Sequence, residues 1–341
     1  MQIEDELVAR VQQAIAKRTP LCIQGGGSKG FYGRACAGET LDVSGHRGIV
    51  AYEPTELVIT ARTGTPLAEI EAALAANNQM LPFEPPHFSS QATFGGMVAA
   101  GLSGPRRPWG GSVRDAVLGV KLLNGRGEVL RLGGQVMKNV AGYDLSRLMV
   151  GALGTLGVLL EISVKVLPRP ACERTLACTS DQVALPPGLP ISAGLQVDGQ
   201  RYLRLSASSR CVELAAEQLG VAEADAAIWT AVREQTLPFF RSGLPLWRIS
   251  LPAAAPALHL PGDTLIEWNG ALRWLASDLP APAIRQRVSA LGGHATLFLG
   301  AAGDADVFQP LPPAMLALHQ RIKQALDPHG IFNRGRMYPE L

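Results

Sequence analysis

The chain lacks the features of several common protein classes. Only 18% of its 341 residues are charged, the 31 basic and 29 acidic side chains nearly cancel, and no run of like charge occurs. A nucleic-acid partner is therefore not expected. No window of about 18 or more uncharged apolar residues is present, so no direct membrane span is expected. The acidic start, residues 1–6, does not predict a signal peptide.

Cysteine is also sparse, and its spacing excludes further classes. The five cysteines are Cys22, Cys36, Cys172, Cys178 and Cys211. They form no CxxC pair and no metal-binding spacing, so neither a metal site nor an iron–sulfur cluster is expected in this chain. An odd, scattered set is typical of proteins in a reducing cytosol. We therefore expect a cytoplasmic protein whose contact with the inner membrane, if any, comes through partners.

Glycine and proline, by contrast, are abundant. The 37 glycines and 25 prolines are spread along the chain, which indicates many tight turns. The length is comfortable for two domains. Hydrophobic periodicity predicts helices at residues 3–18, 66–76, 211–219, 283–291 and 314–326. Strands are predicted at residues 21–23, 57–61, 117–123, 128–132, 156–167, 202–205 and 246–250. Hairpins are predicted at Asn124-Gly125-Arg126-Gly127 and, over residues 263–276, around Asn269-Gly270. Pro168-Arg169-Pro170 marks a domain boundary, and the segment after it predicts a smaller α+β domain.

A glycine-rich loop, Gly25-Gly26-Gly27-Ser28-Lys29-Gly30, follows the first predicted strand. It matches the Rossmann dinucleotide fingerprint formally, but the glycines after it deny the helix that this fingerprint needs. A P-loop is excluded because no Lys-Ser or Lys-Thr pair follows Gly30. The remaining interpretation is a loop between two strands whose N–H groups converge on an anion such as a diphosphate. A plain turn stays open as the alternative.

Three further motifs follow in order. They are Thr93-Phe94-Gly95-Gly96 with Ser103-Gly104 and the segment 109–115, then Gly151-Ala152-Leu153-Gly154-Thr155-Leu156-Gly157-Val158, and finally Asp327-Pro328-His329-Gly330-Ile331-Phe332-Asn333. Together with the glycine loop they resemble the FAD-binding domain of the vanillyl-alcohol oxidase and para-cresol methylhydroxylase (PCMH) superfamily. The resemblance spans about residues 1–168 and the C-terminal tail.

This resemblance implies an α+β fold with a two-subdomain PCMH-type FAD-binding domain and a small α+β cap domain. The FAD-binding domain covers residues 1–168, with a diphosphate-loop subdomain at about 1–50 and a second subdomain at about 51–168. The cap covers residues 171–313, and residues 314–341 form a helix and tail that return to the flavin. The implied FAD-binding residues are Gly25, Gly26, Gly27, Ser28, Lys29, Gly30, Thr93, Gly95, Gly96, Ser103, Gly104, Gly110, Ser112, Asp115, Gly154, Gly157, Val158 and Asn333.

Within this superfamily the chain is similar to the glycolate oxidase (glycolate dehydrogenase) subunits. The segment Val136-Met137-Lys138-Asn139-Val140-Ala141-Gly142-Tyr143-Asp144-Leu145 carries that similarity. The short chain and the reduced segment Gly292-Gly293-His294 resemble the smaller, E-type subunits. Membership implies oxidation of glycolate, a small 2-hydroxy acid, to glyoxylate. It also implies that electrons pass to partner subunits, which are a second FAD-binding subunit and an iron–sulfur subunit.

Two departures from the family pattern bear on the cofactor. The tail reads Asn333-Arg334-Gly335-Arg336 where the family has Asn-Pro-Gly-Lys, and Arg336 is expected to replace the charge of the lysine. Ser28-Lys29 stands where covalent flavoproteins of the superfamily carry a histidine. We therefore expect non-covalent FAD.

The residues for substrate chemistry are harder to find. A flavin that oxidises a 2-hydroxy acid needs a base for the hydroxyl proton and a cation for the carboxylate. His294 is a weak candidate for the base, and Arg248 and Arg273, on predicted strands, are weak candidates for the cation. Structural roles stay open for all three. Two alternatives to the redox subunit also remain, a flavin-retaining assembly scaffold and a stand-alone flavin oxidase acting on another small hydroxy acid.

Overall fold

A computed structural model describes residues 3–134, 144–179, 186–300 and 306–341. The segment at residues 136–145 that resembles the glycolate oxidase subunits lies outside these ranges, apart from Asp144 and Leu145. No helix within the described ranges has both the length and the apolar character needed to cross a membrane.

Ten α-helices are present in the described ranges. They are α1 (Ile3–Lys17), α2 (Leu67–Ala75), α3 (Phe94–Ala100), α4 (Arg107–Gly110), α5 (Val113–Ala116), α6 (Leu145–Leu148), α7 (Ser209–Leu219), α8 (Ala227–Arg233), α9 (Ala281–Ala290) and α10 (Pro313–Leu326). The long helices agree with the predicted ones to within a few residues at each end. Thr93 caps α3, because its hydroxyl accepts a hydrogen bond from the Gly96 amide at 3.1 Å.

Seventeen strands are described. The first nine are β1 (Leu21–Gln24), β2 (Glu39–Asp42), β3 (Ile49–Glu53), β4 (Val58–Arg62), β5 (Gln79–Met80), β6 (Val117–Leu123), β7 (Val129–Gly133), β8 (Val158–Lys165) and β9 (Leu167–Pro168). The other eight are β10 (Cys172–Thr179), β11 (Ile191–Val197), β12 (Gln200–Ala207), β13 (Ala222–Glu223), β14 (Leu246–Ser250), β15 (Asp263–Glu267), β16 (Leu272–Ala276) and β17 (His294–Leu299).

The strands before residue 169 form three small sheets. β1 pairs with β2 in parallel, β5 pairs with β9, and the five-stranded sheet has the order β3-β4-β8-β6-β7. The predicted hairpin at residues 124–127 joins β6 and β7, and the Asn124 side chain accepts hydrogen bonds from the Arg126 and Glu128 amides. A core that includes Ile59, Phe83 and Phe94 packs against the five-stranded sheet.

The strands after residue 171 form one eight-stranded sheet, β13-β10-β12-β11-β15-β16-β14-β17. Side chains alternate across a strand, so each face collects every second residue. One face packs against α9 through Trp247 and Ile249. The other face, with Leu265 and Trp274, packs against residues of the first 168 positions, including Tyr32. The part of the sequence expected to form a cap therefore presents one sheet face to the part expected to hold FAD.

A buried charge network joins these two parts. The Glu84 carboxylate accepts hydrogen bonds from the Arg106 amide at 3.0 Å and from the Arg204 guanidinium on β12 at 2.9 Å. Arg106 also pairs with Glu173 on β10. Removing one member would leave a charge without its partner in a low-dielectric environment, so this network fixes how the two parts meet.

The C-terminal tail returns to the first strand. The Leu21 amide donates to the Ile331 carbonyl at 2.7 Å, and the Asn333 amide donates to the Leu21 carbonyl at 2.9 Å. Phe332 is fully buried beside β1. Residues more than 300 positions apart thus build one local structure at the point where the glycine loop begins.

Candidate functional site

The glycine loop connects β1 to β2 through a series of turns. A Cβ atom on Gly26 would lie 1.5 Å from the Gln91 carbonyl oxygen, and one on Gly25 would lie 2.6 Å from the Thr93 hydroxyl. Gly27 has a φ of +70°, which L side chains rarely adopt. The first two glycines therefore allow close packing against the segment before α3, and the third allows the turn.

The loop leaves its own N–H groups available. Within the described ranges, the main-chain amides of Gly26, Gly27, Ser28 and Lys29 donate to no protein acceptor, whereas the Gly30 amide donates to the Gly27 carbonyl at 3.0 Å. These groups border a cavity lined by the loop, Thr93, Gly96, Leu153, Asn333 and Arg336. Consecutive free amides beside a cavity suit the oxygens of a diphosphate. The residues present therefore fit the diphosphate of FAD.

A second cavity adjoins the first across Gly25, Gly96 and Asn333 and reaches Gly95, Gly154 and Gly157. Gly95 allows the helix start to approach Thr63, whose Cβ would be 2.5 Å from an added Cβ. Gly154 allows room for the Asn333 amide nitrogen, which would be 2.6 Å from an added Cβ. Residues from the first three motifs and the tail therefore meet around one continuous space.

Two basic side chains stand beside the loop. Lys29 donates to the His87 carbonyl at 3.3 Å, and burial lowers its pKa to about 8, although the Glu234 charge opposes this shift. Arg336 donates to the Gly30 and Tyr32 carbonyls at 3.2 and 3.0 Å. Arg336 therefore ties the tail to the loop as well as bringing positive charge to the cavity.

The Asn333 side chain holds three segments together. Its oxygen accepts from the Ile23 amide at 2.7 Å, and its nitrogen donates to the Leu153 carbonyl at 2.6 Å. Below it, the buried Lys323 ammonium donates to Asp327 and to the Thr155 and Phe332 carbonyls, all within 2.8 Å. Burial lowers the pKa of Lys323, and the Asp327 carboxylate opposes that shift. The tail is thus fixed by polar contacts that the glycine motifs did not reveal.

A disulfide bond brackets the loop. Cys22 on β1 is bonded to Cys36, with 6.0 Å between their Cα atoms, and the intervening segment contains all of residues 25–30. The sequence did not predict this bond, because neither cysteine belongs to a recognisable spacing. A scattered set of cysteines is typical of a reducing cytosol, whereas here Cys22 and Cys36 are bonded, and Cys172, Cys178 and Cys211 are free.

The other residues predicted to bind FAD lie further along the same region. Ser103 and Gly104 line a separate cavity against the eight-stranded sheet, and the Gly104 carbonyl accepts from the Trp268 indole at 2.9 Å. Ser112 and Asp115 form a capping box at the start of α5. Gly110 packs against the Pro82 carbonyl, and Val158 begins β8 in the core. In the described structure, neither of the two cavities beside the glycine loop is lined by Gly110, Ser112, Asp115 or Val158.

The three candidates for substrate chemistry do not lie together, because the eight-stranded sheet places two of them on one face and the third on the other. Arg248 on β14 lies opposite Thr296, and Ser250 lies opposite His294, so Arg248 and His294 share a sheet face. Partial desolvation and the Arg248 charge lower the pKa of His294. Arg273 lies opposite Ile249 and therefore on the other face, where its guanidinium donates to the carbonyls of Gly270, Pro256 and Ala255.

The sequence interpretation missed two residues of this sheet face. Glu267 and Trp268, at the end of β15, line or border the same cavity as Arg248. The only available signal was a glutamate at the end of the short strand Asp263–Glu267, beside the hairpin predicted around Asn269-Gly270, and such a pattern is common at exposed positions.

Comparison with known proteins shows the family to which this chain belongs. A model of the FAD binding domain family matches residues 2–133. The chain is 55% identical to glycolate oxidase subunit GlcE of Escherichia coli (strain K12), over 98% of this chain and 97% of that protein. It is 32% identical to glycolate oxidase subunit GlcD of Bacillus subtilis (strain 168), over 40% of this chain and 28% of that protein.

The structure is similar to that of alkyldihydroxyacetonephosphate synthase, with a TM-score of 0.66, 14% sequence identity, and coverage of 96% of this chain and 75% of that one. At this identity the likeness concerns the fold alone, and it confirms the mixed α+β class. The similarity to GlcE extends over nearly the whole of both chains, and it confirms the resemblance seen in the four motifs. The chain belongs to the glycolate oxidase subunit GlcE family and is an FAD-linked oxidoreductase subunit.

Proposed function

We propose that this chain holds FAD non-covalently within a multi-subunit glycolate oxidase that converts glycolate to glyoxylate. In this proposal electrons pass to partner subunits, which are a second FAD-binding subunit and an iron–sulfur subunit. The observation that carries the proposal is the row of free amides from Gly26 to Lys29 beside a cavity, in a chain so similar to subunit GlcE. FAD, when bound, supplies the redox chemistry.

The protein residues supply binding and position. We propose that the loop from Gly25 to Gly30 binds the diphosphate through the free amides of Gly26 to Lys29, with the side chains of Ser28, Lys29 and Thr93 beside them. Gly95, Gly96, Gly154 and Gly157 would allow the main chain to approach the rest of the cofactor, and Asn333 would close the site from the tail. Val158, buried at the start of β8, would support this segment from the core. The segment between the cofactor and the cap would be held in place by five residues, which are Ser103, Gly104, Gly110, Ser112 and Asp115.

The domain limits and the location remain part of this proposal. A division into residues 1–168, 171–313 and 314–341 is supported by the sheets, since every strand that the structure describes after residue 171 belongs to the eight-stranded sheet. A cytoplasmic location, with membrane contact only through partners, stays a prediction.

One experiment separates the proposal from its alternatives. The chain is purified alone, its bound flavin is measured, and glycolate or D-lactate is added while the flavin absorbance is followed. Bound FAD that is bleached only after the partner subunits are added supports the redox subunit. Bleaching of the isolated chain would instead favour a stand-alone oxidase, and a well-folded chain without FAD would favour an assembly scaffold.

The mode of attachment has its own test. Acid precipitation of the loaded chain is expected to release all flavin into the supernatant, because Ser28 and Lys29 stand where covalent relatives carry histidine. Flavin that stays with the precipitated polypeptide would show that the attachment is covalent.

A further inference from the structure

A single carboxylate connects the part of the chain after residue 171 to the segment that leads into α3. Glu234 directly follows α8, and its oxygens accept hydrogen bonds from the His87 amide at 3.1 and 3.2 Å and from the Phe88 amide at 2.8 Å. The Arg233 guanidinium donates to the same carboxylate at 2.8 Å and fixes its orientation. Hydrogen bonds to an ionised oxygen are about twice as strong as neutral ones. Glu234 is therefore a firm anchor for residues 87 and 88.

The anchored segment has a main-chain conformation that needs support. Phe88 has a φ of +59°, in the left-handed region that a bulky L side chain rarely adopts. Its ring packs edge to face against Phe31 and Phe298, with ring centroids 5.6 and 6.3 Å away. Such a conformation persists only where the surroundings hold it from several sides. The bonds to Glu234 hold the main chain of this segment, and the aromatic contacts hold the side chain.

The same two residues contact the glycine loop. The Lys29 ammonium donates to the His87 carbonyl at 3.3 Å and lies over the Phe88 ring, 5.5 Å from its centroid. His87 and Phe88 thus bind Glu234 through their amides and contact Lys29 through a carbonyl and a ring. Because peptide groups are rigid, a displacement on the Glu234 side changes where Lys29 finds its contacts. The segment is a direct structural link between α8 and the loop.

Glu234 also acts on Lys29 through its charge. Burial lowers the pKa of Lys29 to about 8, and the negative charge of Glu234 opposes this shift. Without Glu234, Lys29 would lose its proton at a lower pH. A neutral amine gives a diphosphate no ionic contact. The charge of Glu234 therefore bears on the loop, although Glu234 is not among the described residues that line the loop cavity.

Other charged groups surround Lys29. His87 is adjacent to it, and the His87 imidazole lies 3.1 Å from the Glu71 carboxylate on α2. Arg336 from the tail donates to the Gly30 carbonyl at the end of the loop. A contribution of any of these groups to the pH dependence of FAD binding would persist when Lys29 is replaced. The Lys29→Met background therefore separates their contributions from that of Glu234.

We propose that Glu234 is a positioning residue for the cofactor site: it fixes the main chain of His87 and Phe88, and this segment keeps Lys29 in place beside the glycine loop. Residues after 171 were expected to serve the substrate side, and the inference assigns one of them a role in holding FAD. It rests on the proposed function only in naming FAD as the ligand of the loop. The effect of Glu234 on Lys29 rests on the contacts above and can be measured without the cofactor.

The first measurement is made on the chain without cofactor. The pKa of Lys29 is followed by NMR titration of isotopically labelled lysine, and Lys29→Met assigns the signal. Glu234→Gln is expected to lower the pKa of Lys29 by about half a pH unit or more, because it removes the charge that opposes burial. Glu217→Gln, which removes an exposed carboxylate from α7, is the matched control and is expected to leave this pKa unchanged.

The second measurement is the affinity for FAD, from fluorescence titration of the apoprotein between about pH 6 and about pH 10. Glu234→Gln is expected to weaken binding about fivefold near neutral pH, because FAD must then order residues 87 and 88 as it binds. A diphosphate favours protonated Lys29, so affinity is full below the pKa of Lys29 in the free chain and decreases above it. A lower pKa in Glu234→Gln therefore moves this decrease to a lower pH.

Two further variants separate position from charge. Glu234→Asp keeps the charge but shortens the side chain, so it is expected to weaken FAD binding with little change in the pH at which affinity begins to fall. In the Lys29→Met background, Glu234→Gln is expected to cost less affinity than in the unmodified chain, because part of its effect passes through Lys29. Thermal unfolding identifies any variant that loses the whole fold. If Glu234→Gln does not fold, unchanged affinity in Glu234→Asp would contradict the inference.

The outcomes distinguish this inference from the proposed function. A folded chain that binds FAD, with affinity and Lys29 pKa unchanged by Glu234→Gln, would overturn the inference and leave the FAD assignment intact. Weaker affinity with an unchanged pH dependence, and with equal losses in the presence and absence of Lys29, would show that Glu234 supports only the fold, and would also overturn it. A chain that binds no FAD would contradict the proposed function, and the Lys29 titration would still test whether Glu234 acts on the loop.

Discussion

The two sides of this molecule build their candidate sites in different ways. On the loop side, main-chain amides from Gly26 to Lys29 face the cavity, and the side chains are mostly absent. On the cap side, Arg248 and Glu267 reach into the cavity from β14 and β15, and the main chain is fully used in the sheet. The loop site depends on residues adjacent in sequence, whereas the cap site depends on strand register.

This difference explains why the loop site can be recognised from the sequence and the cap site cannot. A main-chain site needs glycine at fixed neighbouring positions, so it leaves a compact motif. A side-chain site on a sheet needs only that two distant residues fall on one face, and a shift of one residue in register would separate them. Substitutions on the loop side should therefore disturb the shape of the main chain, whereas substitutions on the cap side should disturb side-chain contacts.

The largest expected effect is on the loop. Gly27→Val should abolish FAD binding, because a β-branched side chain at a φ of +70° forces the loop out of shape. Flavin absorbance after gel filtration measures the loss. Gly243→Val, at a φ of +78° in open space within the cap, imposes the same backbone strain away from the loop. Normal FAD content in Gly27→Val would refute the assignment of the loop.

The second-largest effect is expected for the contacts of Lys323 that hold the tail beneath the loop. Lys323→Met leaves the buried Asp327 without its cation, and we expect the free energy of unfolding to fall by about 3 kcal/mol. Urea denaturation of the isolated chain measures this change. Lys17→Met, on an exposed position of α1, is the control and should change stability little. Equal stability of the two variants would mean that the tail does not need the Lys323 contacts.

The disulfide should have a smaller effect. Cys22→Ser frees the segment that contains the loop, and a loss of about 2 kcal/mol in unfolding free energy is expected from loop-closure entropy. Cys211→Ser, at an exposed free cysteine, serves as the control. Adding a reductant to the unmodified chain should reproduce the Cys22→Ser curve. If the reductant changes neither stability nor FAD affinity, the bond contributes nothing to the loop.

The smallest expected effect concerns Lys29. Lys29→Met should weaken FAD binding about tenfold, since one charge-assisted contact to the diphosphate is lost. With a pKa of about 8, Lys29 loses its charge as the pH rises from 7 to 9, so FAD affinity of the unmodified chain should fall across that range. Titration of the apoprotein with FAD, followed by fluorescence, measures both. A pH dependence that persists in Lys29→Met would assign it to another group.

Local features of the fold were predictable from the sequence, and long-range ones were not. The hairpin at residues 124–127 was predicted because its turn chemistry lies in four adjacent residues. The separation of Arg248 from Arg273 was not, because it follows from the pairing of β14 with β16. The Cys22–Cys36 bond was missed for a related reason, since spacing alone does not show which cysteines meet in space.

The return of the tail to β1 has a consequence for which segments the site needs together. The strand that leads into the glycine loop obtains hydrogen-bonding partners from Ile331 and Asn333, more than 300 positions further along the chain. A fragment that contains the loop but not the tail lacks the Asn333 contacts, the Arg336 contacts and the Lys323 network. We therefore expect residues 1–168 on their own to hold FAD less tightly than the intact chain.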